Sequence, residues 1–398
     1  MVVLPDARDT LAAVVREEGS RLTALLVRVV GDFATAEDIV QDAVVVALER
    51  WPREGIPREP GAWLLTVARR RAIDRLRRDA RYREKLTLLR EPERDSVDDR
   101  LQLIFTCCHP SLSRDTQIAL TLRTICGLNT AEIAAAFLTS ETTVAQRLVR
   151  ARRKIAQAGI PYRVPPAEEL NDRLTEVLAV LYLMFNEGYL TSAGESAERR
   201  DLTDEAEWLA GLLSRLMPTE PEVLGLLALI QLHRARAEAR FDPQGRLVLL
   251  RDQDRSRWDR AAIKSAADLV LLASQVVRPG PYQIQAAIVA CHAEAPSWGE
   301  TDWLQILLLY NALLRFGPSP VARLNRAVAV YHVSGPAAAL AEIESLDAAL
   351  NTYHLYHATR AEFLRALDRT VEARLADTTA LALTANPAER ALLEQRLI

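Results

Sequence analysis

Glycine is scarce in this chain, 15 of 398 residues, and a sequence so lean in turn formers is biased towards helix. Its four cysteines, Cys107, Cys108, Cys126 and Cys291, are too few and too scattered for a disulfide framework, so a reducing compartment is expected. No apolar run approaches the ~18 residues of a membrane span. The stretches Val223–Leu232 and Leu304–Leu314 are short and contain or adjoin polar residues. The N-terminus, MVVLPDARDT, has no basic segment followed by an apolar core, so nothing points to export and a cytoplasmic location is expected. Also missing are a nucleophile–base pair, a phosphate-binding glycine loop and a metal-ligand helix motif, so neither an enzyme nor a cofactor is expected. Asp252, Asp254 and Asp259 read as a solvated charged turn. Cys107-Cys108-His109, with Cys126 as a fourth ligand, lacks the usual C-x₂₋₄-C spacing of zinc sites. An apolar run ending at Pro110 explains those cysteines as core, and no metal is expected.

What is present is charge, unevenly placed. The net charge is −3, but residues 1–160 hold 26 Lys+Arg against 22 Asp+Glu, which leaves 24 against 31 beyond them. The basic part is the candidate for a polyanionic partner. Within it, Arg69–Lys85 holds nine basic and three acidic residues, and Arg147–Lys154 holds five basic residues and none acidic.

A length of 398 residues exceeds one core, and roughly two or three domains are expected. The first segment reads as helical from about Asp6 to Lys85. One helix opens at Thr35, with Asp38 completing a capping-box-like pair, and runs to Trp51. Val40, Ala43, Val44, Ala47 and Leu48 give it an inward stripe. Three prolines and a glycine make Trp51–Pro60 a loop. The next helix, GAWLLTVARRRAIDRLRR, buries Leu65, Ala68, Ala72 and Leu76 beneath a cover of arginines. Charged residues around Pro92 read as a linker, a second unit follows to about Ala158, and Pro161–Pro166 makes another break. Beyond it, Arg326-Ala327 recurs as Arg360-Ala361, and Val330/Leu364 and Ala339/Ala373 keep that register. The offset of 34 is the period of a tetratricopeptide-type hairpin. Asn186-Glu187-Gly188-Tyr189 reads as a helix-ending turn. His292, and the pairs Tyr353-His354 and Tyr356-His357, read as packed or solvent-facing.

The stretch NTAEIAAAFLTSETTVAQRLVRARRKI has the form of a helix-turn-helix. Asn129, with Glu132, caps a short helix whose inner face is Ile133 and Phe137, and Leu138–Ser140 is the turn. Ser140 caps a second helix, in which Val144, Leu148, Ala151 and Ile155 point inward. Its other face carries Thr142, Thr143, Gln146, Arg147 and Arg150 towards base edges in a major groove, with Arg152, Arg153 and Lys154 suited to phosphates.

Two segments together resemble the extracytoplasmic-function sigma factors of bacterial RNA polymerase. AEDIVQDAVVVALERW with GAWLLTVARRRAIDRLRR is similar to that family's region two, and Leu112 to about Ala158 to its region four. The resemblance implies an all-α fold, with a region-two domain over 1–90, a linker over 91–110 and a region-four domain over 111–160. It implies core RNA polymerase and promoter DNA as partners and no membrane. Asp38, Gln41 and Asp42 fall where region two docks on polymerase. Trp63, Arg69, Arg70, Arg71, Arg75, Arg77 and Arg78 fall where it opens and reads the minus-ten element, and the region-four helix reads the minus-thirty-five element. LYLMFNEGYLTSAGE and RFDPQGRLVLLRDQDRSRWD resemble the subgroup with a long tetratricopeptide-like extension, here 167–398. Such an array offers a concave surface to a peptide or protein ligand or to the chain's own DNA-binding domains, and regulation in cis is expected. The alternative is a helix-turn-helix regulator with a helical-repeat sensor that is not a polymerase subunit. It leaves Ala36–Arg78 unexplained.

Overall fold

The computed structural model describes residues 7–76, 96–125, 127–136, 139–160, 165, 167–190, 198 and 200–397. Helices account for nearly all the regular structure, and among the described residues the only β pairing is an isolated bridge between Phe241 and Leu247. The chain divides into two compact units, Met1–Met184 and Phe185–Ile398.

In the first unit, helices α1 (Ala7–Val30), α2 (Phe33–Glu54) and α3 (Pro60–Leu76) pack together. Their shared core takes Leu22, Leu26 and Val29 from α1, Ile39, Ala43 and Ala47 from α2, and Leu64, Ala68 and Ala72 from α3. Two details depart from the sequence pattern. Asp32, not Thr35, caps α2, its carboxylate accepting from the Thr35 N–H at 2.8 Å, so the cap sits three residues earlier than expected. On α3 it is Leu64 that is buried, with Leu65 only half-buried, a rotation of one position in the apolar line; the Leu76 side chain and residues 77–78 lie outside the described residues.

Residues expected to act as a linker include a helix, α4 (Ser96–Cys107), in which Leu103, Ile104, Phe105 and Cys107 are fully buried, as is Cys108 just beyond it. It packs on α1 and on α5 (Arg114–Thr124). Just past its end, the buried Gln117 side-chain amide donates to Cys108 O at 3.3 Å and to His109 O at 2.9 Å. Burial pushes the Cys108 thiol up to about 12, which makes it an inert core residue. Among the described residues no group of three or more His, Cys, Asp and Glu could hold a metal. Helices α6 (Thr130–Ala136) and α7 (Glu141–Ala158) follow, and α8 (Ala167–Tyr189) returns to the same unit through its N-terminal half. There the buried Arg173 donates to Phe105 O at 2.9 Å, so the first compact unit continues past the Pro161–Pro166 break.

The second unit is a stack of helical hairpins. After α9 (Arg200–Leu216) come the pairs α10 (Pro221–Arg234) with α11 (Arg260–Ser274), α12 (Pro281–Glu294) with α13 (Trp303–Leu313), α14 (Pro320–Ser334) with α15 (Pro336–Glu344), and α17 (His354–Ala366) with α18 (Thr370–Leu383). A single turn, α16 (Asp347–Leu350), precedes the last pair, and α19 (Pro387–Leu397) closes the chain. The repeat read from the sequence holds in space: Ala327 and Ala361 are both fully buried at the same position of α14 and α17, and Ala339 and Ala373 match on α15 and α18. Stacking is close. A Cβ on Gly225 of α10 would stand 2.5 Å from the Gln283 backbone nitrogen of α12, and the Glu222 carboxylate accepts from the Tyr282 and Gln283 N–H groups at 3.1 and 3.0 Å.

The connector between α10 and α11 is pinned rather than loose. Arg251 bonds Glu362 of α17 at 2.6 Å, and Arg255 donates to the His292 and Ala295 carbonyls at 2.6 and 2.7 Å. Asp254 caps a short turn and Asp259 caps α11, so the acidic cluster is local backbone chemistry. Asn186 to Tyr189 form the last turn of α8, and the Tyr189 ring lies under Arg240 at 3.4 Å. His292 packs between Trp298 and Trp303, with ring centroids 6.0 and 5.2 Å away. Tyr356 is buried, and His354 meets Glu389 at 2.9 Å.

Candidate nucleic-acid interface

The interface begins with α7, whose existence is local. Ser140 is extended, and its hydroxyl accepts from the Thr143 N–H at 3.2 Å, satisfying one of the free donors of the first turn. Glu141 in that turn suits the positive end of the helix dipole, and Gly159, left-handed at φ 58, ends the helix. Val144, Leu148, Ala151 and Ile155 are all buried, against α5 and α6. Ile133 supplies the buried face of α6, while Phe137 and Leu138 lie outside the described residues.

With that stripe fixed, the other face of α7 is solvent-facing. Thr142, Gln146, Arg150 and Arg153 are exposed, and Arg150 folds back onto the Gln146 carbonyl at 3.2 Å. The Thr143 hydroxyl is engaged with Ser140 at 2.8 Å. Three cations of this helix have partners inside the unit: Arg147 lies 3.6 Å from Asp115, Lys154 donates to the Ser111 carbonyl, and Arg152 is paired with Glu37 of α2.

On α3, Arg70, Arg71 and Arg75 are exposed and Arg69 is half-buried; Arg77 and Arg78 lie outside the described residues. Trp63 is half-buried and meets the buried Trp51 edge to face, with centroids 5.6 Å apart and planes at 66°. That contact anchors the loop of residues 55–59 between two tryptophans, one at each end.

Asp38, Gln41 and Asp42 form an exposed acidic stripe on α2. Beside it Val45 is 51% and Leu48 44% exposed. Leu48 therefore leaves the inward stripe assigned from the sequence. Counting apolar positions at helical spacing places Leu48 inside because Val44 and Ala47 precede it, yet the buried face at that end of α2 is carried by Ala47 and Trp51. Exposed apolar side chains next to carboxylates are what a protein-docking helix needs.

The family comparisons agree with this arrangement. The family model described as Sigma-70 region 2 matches residues 14–82, Sigma-70 region 4 matches residues 102–155, and a family of unknown function (DUF6596) matches residues 173–274. The chain is 45% identical over 386 residues to Uncharacterized protein R00370 of Rhizobium meliloti, covering 94% of this chain and 91% of that one. It is 30% identical over 173 residues to the probable ECF RNA polymerase sigma factor SigI of Mycobacterium tuberculosis. That match covers 40% of this chain and 59% of the relative. No solved structure matches the chain. With both sigma-70 regions present in order, the exposed arginines of α3, the capped helix α7 and the helical array beyond them identify the chain as a member of the extracytoplasmic-function sigma factors that carries a C-terminal extension.

Proposed function

We propose that this sigma factor joins core RNA polymerase through the exposed acidic and apolar face of α2, reads the minus-ten element with α3 and its preceding loop, and reads the minus-thirty-five element with α7. The observation that carries this reading is the pairing of two exposed cationic helices, α3 and α7, in one unit with an acidic docking helix. Thr142 and Gln146, near the N-terminal end of α7, suit base edges, and Arg153, further along, suits phosphates. On α3, Arg70, Arg71 and Arg75 favour the DNA backbone, while Trp63, held by Trp51, offers a ring edge to an unstacked base. The chain supplies binding energy and sequence choice, and the polymerase supplies the chemistry.

The array acts in cis on the promoter-binding unit. Support comes from its opposite charge balance and from the pinned connector, which makes it a rigid element rather than a tail. Run-off transcription with core polymerase tests both parts of the proposal. The full chain gives promoter-dependent transcripts, and a chain ending after Tyr189, which keeps α8 whole, gives a changed output. No polymerase-dependent transcript from either chain would overturn the sigma-factor reading, and equal output from both chains would overturn regulation in cis.

A further inference from the structure

The end of α8, the start of α9, the end of α10 and the connector that follows it border a cavity of about 250 Å³. Every lining residue belongs to the second unit. Two sequence stretches that the promoter-binding helices do not use, LYLMFNEGYLTSAGE and RFDPQGRLVLLRDQDRSRWD, meet there. The first supplies Tyr189 to the lining, and the second supplies Arg240 and Arg257.

Arg240 forms the floor. Its side chain is 5% exposed, and its guanidinium lies 3.4 Å from the Tyr189 ring centroid. A guanidinium carries five N–H donors. Among the described residues that of Arg240 makes one hydrogen bond, a long one of 3.4 Å to Glu198, and Glu198 is held more closely by Arg200 at 2.7 Å. The Tyr189 hydroxyl is shut off from solvent and has no hydrogen-bond partner among the described residues. Buried polar groups left in this state are rare in folded proteins and point to a partner other than the chain itself. Arg257 stands exposed at the rim and forms no ion pair among the described residues. Its position is fixed by the backbone, since Asp254 caps its short turn and the Asp259 N–H donates to the Ala235 carbonyl at 2.8 Å.

The carboxylates of the lining are already engaged. Asp204 is held by Arg234, Asp259 accepts from the Ala261 and Ala262 N–H groups at 3.0 Å, and Glu238 lies 3.6 Å from Arg200. The cavity therefore offers guanidinium donors and few open acceptors. We infer that it is a binding site for a small molecule bearing one carboxylate, whose oxygens take the donors of Arg240 and Arg257. The planar fork of a guanidinium matches a carboxylate in shape and spacing. The volume falls just below the roughly 300–1,000 Å³ of drug-sized ligand sites, which sets the size of the ligand. The surrounding carboxylates repel a multiply charged anion, so a monocarboxylate is favoured over phosphate. With the connector pinned by Arg251 and Arg255, the site is formed before the ligand arrives. The inference concerns the array alone and requires neither polymerase nor DNA.

Thermal melts and calorimetric titrations of the full chain test it, with a library of small monocarboxylates, the primary amide of each, and inorganic phosphate. At least one carboxylate should raise the melting transition by about 2 °C or more near saturation, and its amide and phosphate should not. Arg257→Gln alters an exposed residue and leaves the packing intact, and it should weaken that carboxylate about tenfold or more. Arg240→Gln should abolish the shift. Arg246→Gln removes the same charge from the same connector outside the cavity, where Asp242 holds it at 2.7 Å, and should change the affinity less than about 2-fold. The site is overturned if no carboxylate shifts the melt, if the amide or phosphate acts as well as the acid, or if Arg257→Gln matches Arg246→Gln. Promoter-dependent transcription by a chain that binds no carboxylate would leave the sigma-factor reading standing and remove this site alone.

Discussion

In the C-terminal unit Arg326 grips Glu342 through one guanidinium nitrogen at 2.6 Å, Arg365 reaches the buried Asp377, and Arg234 holds Asp204 and Glu207. On α3 and α7 of the N-terminal unit, by contrast, Arg70, Arg71, Arg75, Arg150 and Arg153 are exposed and form no ion pair among the described residues. The same residue type serves two purposes. Between packed hairpins a guanidinium satisfies a carboxylate that burial would otherwise leave uncompensated. On the helices proposed to face the promoter, exposed cations can replace the counterions of DNA. Arg152 and Arg147 of α7 are instead paired across helices, with Glu37 of α2 and Asp115 of α5, as the array arginines are.

The contrast can be broken at its strongest point by Gly225→Ala. The added Cβ would meet the α12 backbone, and the array should lose about 3 kcal/mol or more, read as a lowered calorimetric transition. A change of under about 1 kcal/mol would mean that the hairpins stack less rigidly than described. Next in size is Arg365→Met, which strands Asp377 in a buried site and should cost about 2–4 kcal/mol. Arg153→Ala should move stability by less than about 0.5 kcal/mol. Equal destabilisation by these two changes would erase the distinction between structural and DNA-facing arginines.

On the DNA side, Gln146→Ala should change discrimination at one minus-thirty-five position by about 1–3 kcal/mol in a binding selection. Arg153→Ala should instead weaken all sequences alike and lower the salt slope by about 1. Parallel behaviour of both variants across sequences would refute the division of α7 into base and phosphate contacts. Leu48→Asp should weaken association with core polymerase about tenfold, measured by sedimentation or anisotropy, because it puts a charge in the apolar part of the docking face. A further effect concerns pH. Burial, with Arg236 and Arg255, lowers His292 to about 4. Below the ordinary histidine range the unfolded chain binds a proton that the folded chain refuses, so stability falls as pH drops from about 6.5 towards 4. His292→Gln should remove up to about 2 kcal/mol of that dependence. An unchanged slope in melts across this range would show that His292 titrates normally.

The legible parts of this protein are those whose causes are local. The cap at Ser140, the buried line Val144 to Ile155, the 34-residue register of the array and the core role of Cys107 and Cys108 all follow from spacing, because a helix fixes which residues share a face. Capping of α2 was displaced to Asp32 because two side chains of similar chemistry compete for one helix end, and only backbone geometry chooses between them.

By itself, then, the sequence determined a helical chain with two promoter-binding segments, the order of those segments and the period of the array that follows. Tertiary structure alone decided that the supposed linker holds a buried helix, that α8 belongs partly to the promoter-binding unit through Arg173, and that Leu48 faces outward. It also decided that Glu37 and Arg152, 115 residues apart, are partners. Periodicity reports which side of a helix is apolar, whereas the identity of the neighbour on that side depends on how distant helices pack, and no local pattern encodes that choice.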